Sequence, residues 1–149
     1  MFFSNSLSRQ YDPFRFPRVA LIAASICCVL KAGELRFAEV MYHPTESENL
    51  EFIELIVTEG GDFTGFGITG GILFFFPEGS FFSRNDLILL ARHPQALRSR
   101  YSRYADPAAA FVYQGFLSND GEVLQVRDQE GNVWEELKYD DDPPWPFLA

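Results

Sequence analysis

Short apolar runs of strand length, each closed by a turn-forming glycine, proline or aspartate, occupy the chain from residue 34 onward. Runs of this kind indicate β-strands, and their close spacing favours a sandwich or a barrel over an α/β sheet. The clearest runs cover residues 35–41, 51–57, 72–76, 87–91, 122–128 and 132–139. We therefore predict an all-β fold in which two sheets pack face to face.

Alternation within the runs predicts which side chains face the core. Leu35, Phe37 and Met41 share one side of the first run. In the second run, even-numbered and odd-numbered residues fall on opposite faces of a strand. The run 87–91 is apolar throughout, which is typical of a strand buried on both faces. Residues 129–131 form a short turn between the last two runs, so we predict a hairpin there.

One helix interrupts the strands. Pro94 suits a first helical position, where its missing N–H costs nothing. Leu97, Tyr101 and Tyr104 recur at helical spacing, and Asp106-Pro107 is expected to end the helix. The remaining helical faces carry the arginines Arg98, Arg100 and Arg103. These arginines form either a solvated helix face or a docking surface for an acidic group.

The N-terminal segment 1–33 differs from the rest in charge and hydropathy. It holds four basic side chains and one acidic side chain, a net charge of +3. Its uncharged stretch 19–30 suits the apolar region of a signal peptide, since a membrane-spanning helix needs about 20 apolar residues. We therefore predict that 1–33 is a signal peptide or an uncleaved N-terminal anchor. A buried strand or helix is the alternative. Both cysteines, Cys27 and Cys28, lie within this segment.

The remaining segment, 34–149, is strongly acidic. Its eight basic and 20 acidic side chains give it a net charge of −12. Such a surface repels nucleic-acid phosphates and anionic lipid head groups, so neither nucleic acid nor a membrane surface is expected as a partner. Among partners, calcium or a basic protein surface fits the charge better, while a simple gain in solubility is the favoured explanation of the charge.

Seven short motifs follow one another between residues 35 and 146. They are Ala38–Pro44, Glu51–Leu55, Gly65-Phe66, Phe76–Gly79, Leu87–Ala91, Leu117–Glu122, and Tyr139 followed by Pro144-Trp145-Pro146. Their order is that found in bacterial lamin tail domains, and the chain resembles that family over this range. The resemblance implies an immunoglobulin-like β-sandwich over 34–149, used in exported bacterial proteins as an interaction module. The family pattern continues past Pro146 to a final strand. We therefore expect either a sheet without its closing strand, whose open edge invites self-association, or a truncated gene product.

Carboxylates and one tryptophan are the candidate binding groups. Six acids, some of them among apolar neighbours, are candidate Ca²⁺ ligands: Glu39, Glu51, Glu54, Asp140, Asp141 and Asp142. The alternative is structural, in which they cap loop amides or pair with Arg36 or Lys138. Trp145 stands between two prolines and provides either a stacking platform or a cover for the core.

The sequence Gly65–Gly70 matches a dinucleotide-binding fingerprint, but an apolar strand follows it instead of the helix that would bind the pyrophosphate. We therefore expect turn glycines there.

The first functional hypothesis is a non-catalytic, secreted or cell-envelope module that binds protein or envelope polysaccharide. A Ca²⁺-stabilised carbohydrate-binding sandwich is the alternative. A small hydrolase using the same carboxylates comes third, because the chain is small for a catalytic cleft.

Overall fold

The computed structural model describes residues 33–102 and 109–142 as a β-sandwich with one short helix. The strands, in chain order, are β1 (Glu34–Met41), β2 (Phe52–Glu59), β3 (Gly61–Asp62), β4 (Gly67–Thr69), β5 (Ile72–Phe75), β6 (Phe81–Phe82), β7 (Leu87–Ala91), β8 (Ala109–Val112), β9 (Gln114–Gly115), β10 (Glu122–Arg127) and β11 (Val133–Tyr139). A 3₁₀ turn covers Glu48–Leu50, and helix α1 covers Pro94–Arg100. The predicted all-β sandwich class is confirmed.

Two sheets form the sandwich. The four-stranded sheet has the order β1-β2-β7-β8, with β8 parallel to β7 and the other pairs antiparallel. The five-stranded sheet has the order β11-β10-β4-β5-β9 and is antiparallel throughout. Strands β3 and β6 make a separate two-stranded ribbon. The predicted hairpin is the β10–β11 pair.

The main core lies between the two sheets. From β2 it takes the odd-numbered residues Ile53, Leu55 and Val57, which are completely buried, as the alternation predicts. From the five-stranded sheet it takes Ile68, Phe74, Leu124 and Val126. Phe66 packs edge-on against Trp134, with ring centroids 5.3 Å apart. Interdigitated apolar side chains from both sheets thus hold the layers together.

A second apolar cluster lies on the outer face of the four-stranded sheet, beneath α1. Leu97 of the helix packs there with Leu50, Phe52, Leu89 and Ala91. Strand β7 is therefore buried on both faces over 88–91, in agreement with its unbroken apolar sequence. The helix begins at Pro94 as predicted, but it ends at Arg100, because Tyr101 adopts an extended backbone with φ −124° and ψ 108°. The predicted extension towards Asp106 is wrong at that point, and residues 103–108 lie outside the described part of the chain.

Strand β1 departs from simple alternation. A register shift between Phe37 and Glu39 marks a β-bulge, and an extra residue in one strand moves the following side chains to the other face. Leu35 and Phe37 consequently pack in the main core, whereas Met41 packs in the cluster under α1. The prediction that these three side chains share one face is therefore wrong for Met41.

One stretch of chain belongs to both sheets. Strand β8 ends in the four-stranded sheet at Val112, Tyr113 is buried, and β9 begins in the five-stranded sheet at Gln114. At the opposite margin β1 faces β11, where Arg36 Nε lies 4.0 Å from Glu135 Oε2. Strands β1 and β11 are edge strands of their sheets, and both carry a bulge and charged side chains. These features disfavour pairing with a strand of another chain.

The glycine motif at 65–70 leads into β4 and then into β5, so no helix N-terminus follows it. Gly65 and Gly70 have positive φ, as expected for turn glycines.

The predicted signal segment lies outside the described residues except for Gly33. Within the described residues, no helix is both long enough and apolar enough to cross a membrane.

Candidate functional site

A pocket of about 400 Å³ opens at one end of the sandwich. Its walls are Glu48 of the 3₁₀ turn, Glu51 just before β2, Arg92 just after β7, and the loop 116–120 that follows β9. Strand ends from the two sheets meet here because β9 brings the chain across from the four-stranded to the five-stranded sheet. Glu51 and Leu117 are the buried residues of the pocket lining.

Glu51 is a buried carboxylate whose partners are all within the protein. Its residue exposure is 3%. The Tyr113 hydroxyl donates to Glu51 Oε2 at 3.2 Å, and the Leu117 backbone N–H donates to the same oxygen at 3.4 Å. Arg92 Nη1 lies 3.7 Å from Glu51 Oε1. Burial raises the pKa of the Glu51 carboxyl, and the Leu117, Tyr113 and Arg92 contacts oppose this only in part.

Arg92 connects the two glutamates of the pocket. Its Nη1 lies 3.5 Å from Glu48 Oε2, and its backbone N–H donates to the Glu51 carbonyl oxygen at 3.3 Å. With Asp120 also in the wall, the pocket carries three acidic groups and one basic group. The site is therefore acidic, and its one guanidinium contacts two of the three acids.

A second carboxylate, Glu122, holds the pocket loop in place. The Ser118 backbone N–H donates to Glu122 Oε1 at 3.1 Å, and the Tyr139 hydroxyl lies 2.7 Å from that oxygen. Space for this carboxylate depends on Gly71, because a Cβ there would lie 2.3 Å from Glu122 Oε2. Sequence reasoning missed Glu122, Arg92 and Tyr113 as partners. The signal available was the Leu117–Glu122 motif, which contains the loop and its anchor.

Phe116 is the exposed aromatic residue of the pocket. Its side chain remains 64% exposed although it lines the cavity. Its backbone N–H donates to the Gly71 carbonyl oxygen at 3.4 Å, so the main chain at this residue is tied to the five-stranded sheet. The ring thus sits at the pocket on a fixed backbone, with its surface open to solvent.

The six predicted metal ligands do not converge. Asp140, Asp141 and Asp142 place one carboxylate oxygen each within 4.8 Å of one another at the end of β11. Glu39 and Glu54 face each other across β1 and β2, Glu51 lies in the pocket, and none of the three joins the aspartate group. One predicted structural pairing is present, since Lys138 Nζ lies 3.8 Å from Asp140 Oδ2.

The predicted arginine surface is partly occupied. Arg100 makes a two-pronged contact with Glu46, in which Nε donates to Oε2 at 2.7 Å and Nη2 bonds to Oε1. The same guanidinium lies 5.1 Å from the centroid of the Tyr101 ring. Arg98 is exposed on α1. Arg103 and Trp145 lie outside the described residues.

Comparison with protein-family models and with curated proteins finds no match. The lamin-tail resemblance therefore rests on the seven sequence motifs alone.

A second surface stands out on the outer face of the five-stranded sheet. Leu73 and Phe75 of β5 point outward and are 44% and 57% exposed. The Phe75 ring lies against Gly67 of the neighbouring strand, where a Cβ would be 2.7 Å from the ring. Next to them runs a polar ladder in which Arg127 donates to Gln125 at 2.5 Å and Gln125 donates to Glu136 at 2.7 Å. This face combines apolar area with groups that can form hydrogen bonds.

Proposed function

We propose that this protein is a non-catalytic, extracytoplasmic interaction module of the lamin-tail type, whose partner is a protein or a cell-envelope polysaccharide. The observation that supports the proposal best is the outward-facing pair Leu73 and Phe75 on the five-stranded sheet. Two large apolar side chains kept in contact with water cost hydration free energy, and a partner that covers them recovers it.

The surroundings of the pair also suit a binding surface. Interfaces typically place aromatic or aliphatic anchors inside a rim of hydrogen-bonding groups. Here the Phe75 ring packs directly against Gly67. The adjacent polar ladder consists of Arg127, Gln125 and Glu136. The anchor is held before binding, so a partner loses little entropy in ordering it.

The state of the carboxylates supports a non-catalytic role. Glu51 and Glu122 are engaged with Tyr113, Tyr139 and loop amides, which is what structural carboxylates do. A general acid or base must instead reach a proton on the substrate. The alternative, a Ca²⁺-stabilised carbohydrate-binding sandwich, depends on the group Asp140–Asp142, which places one carboxylate oxygen of each residue within 4.8 Å of the others.

Co-sedimentation of the full chain with a bacterial cell-envelope fraction tests the proposal. We expect saturable binding by the wild type and a loss of about tenfold or more in affinity for the double variant Leu73→Ser/Phe75→Ser, as for the anchors of other interfaces. Val112→Ser is the matched control, because Val112 is also an exposed apolar strand residue but belongs to the other sheet.

Equal binding by the wild type and the double variant would contradict the assignment of this face. Turnover of a chromogenic glycoside or ester by the wild type would contradict the non-catalytic role. Circular dichroism melts of each variant ensure that a loss of binding is not a loss of folding.

A further inference from the structure

We infer that the pocket formed by Glu48, Glu51, Arg92 and the loop 116–120 binds a neutral sugar unit, with the Phe116 ring as its stacking surface. The sugar site rests on the proposed function, because it names the ligand class of an interaction module. It uses a different surface from Leu73 and Phe75, so each can fail without the other.

The charges of the pocket exclude the common small ions. Three acidic groups repel phosphate, sulfate and carboxylate ligands, and the single guanidinium of Arg92 is already shared between Glu48 and Glu51 at 3.5 and 3.7 Å. A divalent cation needs several oxygens that converge on one point. Within the described residues, the pocket acids do not form a group of three with oxygens inside 4.8 Å.

The lining also excludes a purely apolar ligand. Apart from Phe116 and Leu117, every residue of the wall has a polar or charged side chain, and Leu117 itself is buried. A hydrocarbon placed over the exposed groups of the wall, such as Asn119 and Asp120, would displace water from them without offering hydrogen bonds in return, at a cost for each group.

The same residues match the chemistry of a sugar. A pyranose presents neighbouring hydroxyls in one plane and a C–H face in another. Planar carboxylate, amide and guanidinium groups, as in Asp120, Asn119 and Arg92, supply both donors and acceptors to such hydroxyls. The open face of Phe116 provides apolar contact for the C–H face. A volume of about 400 Å³ lies in the usual range for ligand pockets, about 300–1,000 Å³.

The pocket is held in shape before any ligand arrives. Glu51 anchors the loop at Leu117, Glu122 anchors it at Ser118, and the Ser118 hydroxyl accepts from the Asp120 N–H at 3.2 Å. A sugar therefore meets a formed wall, and little binding free energy is lost in ordering the loop.

An NMR titration of the ¹⁵N-labelled full chain tests the inference, with cellobiose and the disaccharide of N-acetylglucosamine as probes. We expect at least one disaccharide to shift the amide signals of Arg92 and of residues 116–120. Phe116→Ala should weaken that binding by about tenfold through loss of the stacking surface. Phe81→Ala is the matched control, since Phe81 is 56% exposed on β6 and is not part of the pocket wall. This variant should bind the disaccharide as tightly as the wild type does.

The inference is overturned if neither disaccharide shifts these amides, or if Phe116→Ala binds as tightly as the wild type. A lysine-rich peptide that shifts the same amides when neither sugar does would also overturn it, and would assign the pocket to a basic partner. Absence of sugar binding by the wild type, together with its saturable sedimentation on cell envelopes, removes the sugar site and leaves the proposed function standing. Cleavage of either disaccharide would contradict the non-catalytic role itself.

Discussion

Glu51 provides the sharpest test of how the pocket end of the sandwich is held together. Glu51→Ala removes the acceptor of two buried donors, the Tyr113 hydroxyl and the Leu117 N–H. Glu51→Gln keeps a side-chain oxygen in the same place and removes only the charge. The pair of variants therefore separates hydrogen bonding from ionisation at one position.

The contacts set the expected magnitude. An orphaned buried donor costs about 1–3 kcal/mol. Both bonds to Glu51 are long, 3.2 and 3.4 Å, so the lower part of that range applies to each. We expect Glu51→Ala to lower the free energy of unfolding by about 2–3 kcal/mol. Glu51→Gln should change it by less than about 1 kcal/mol at neutral pH, because Arg92 keeps Glu48 as a partner at 3.5 Å.

The pH dependence has a definite sign. Burial raises the pKa of Glu51 above its ordinary value of 4.5, so the folded protein binds this proton more tightly than the unfolded chain does. The stabilisation that comes from this tighter proton binding is complete below pH 4.5 and is lost as the pH rises through the raised pKa of Glu51. Glu51→Gln has no proton to lose, so its stability relative to the wild type should increase as the pH rises over that window.

Urea unfolding of the full chain at several pH values, followed by tryptophan fluorescence, measures both effects, since Trp134 packs against the core residue Phe66. Equal destabilisation by Ala and Gln at neutral pH would refute the hydrogen-bond reasoning. A Gln-to-wild-type difference that does not change with pH would refute the ionisation reasoning.

Three further outcomes follow from the same structure. Excess Ca²⁺ and excess EDTA should give the same melting temperature, because Asp140–Asp142 supply only three side chains to an ion that takes six to eight oxygens; a chelator-sensitive melt would establish the calcium alternative. In urea unfolding, Gly115→Ala should lower the free energy of unfolding by about 2 kcal/mol or more, because φ is +93° and the new Cβ would lie 2.4 Å from the Gly71 carbonyl oxygen. Gly79→Ala is the control, since φ is +79° there but the new Cβ would meet open space, and it should lower the free energy by only about 1 kcal/mol. Arg100→Ala breaks an exposed ion pair with Glu46 and should leave the midpoint of urea unfolding nearly unchanged, so a clear shift of that midpoint would mean that the pair is structural.

Local patterns in the sequence predicted local structure well. The period of two in 52–57 gave the correct face for each side chain, and Pro94 gave the first residue of the helix. The apolar run 72–76 shows no alternation, so the outward position of Leu73 and Phe75 was not predictable from it. The register of β5 against β4 determines which of its side chains face outward, and that register is set by contacts outside the run itself.

The pocket was beyond the reach of sequence patterns for a related reason. Glu51 was recognised as a candidate, but its donors Tyr113 and Leu117 follow it by 62 and 66 residues. No spacing rule connects residues so far apart. The bulge in β1 was not predicted either. One extra residue moves Met41 to the other face of the sheet, and the apolar pattern of the sequence does not indicate where such a residue lies.

The crossing of the chain from one sheet to the other at Tyr113 bears on how the molecule assembles. Neither layer has its full set of strands until the stretch 109–115 is in place, and both layers receive strands from it at once. A half-formed species with one finished sheet would leave β7 or β5 without its last neighbour. The stretch 109–115 therefore couples the two sheets, so that neither can be completed or lost without a change at the margin of the other.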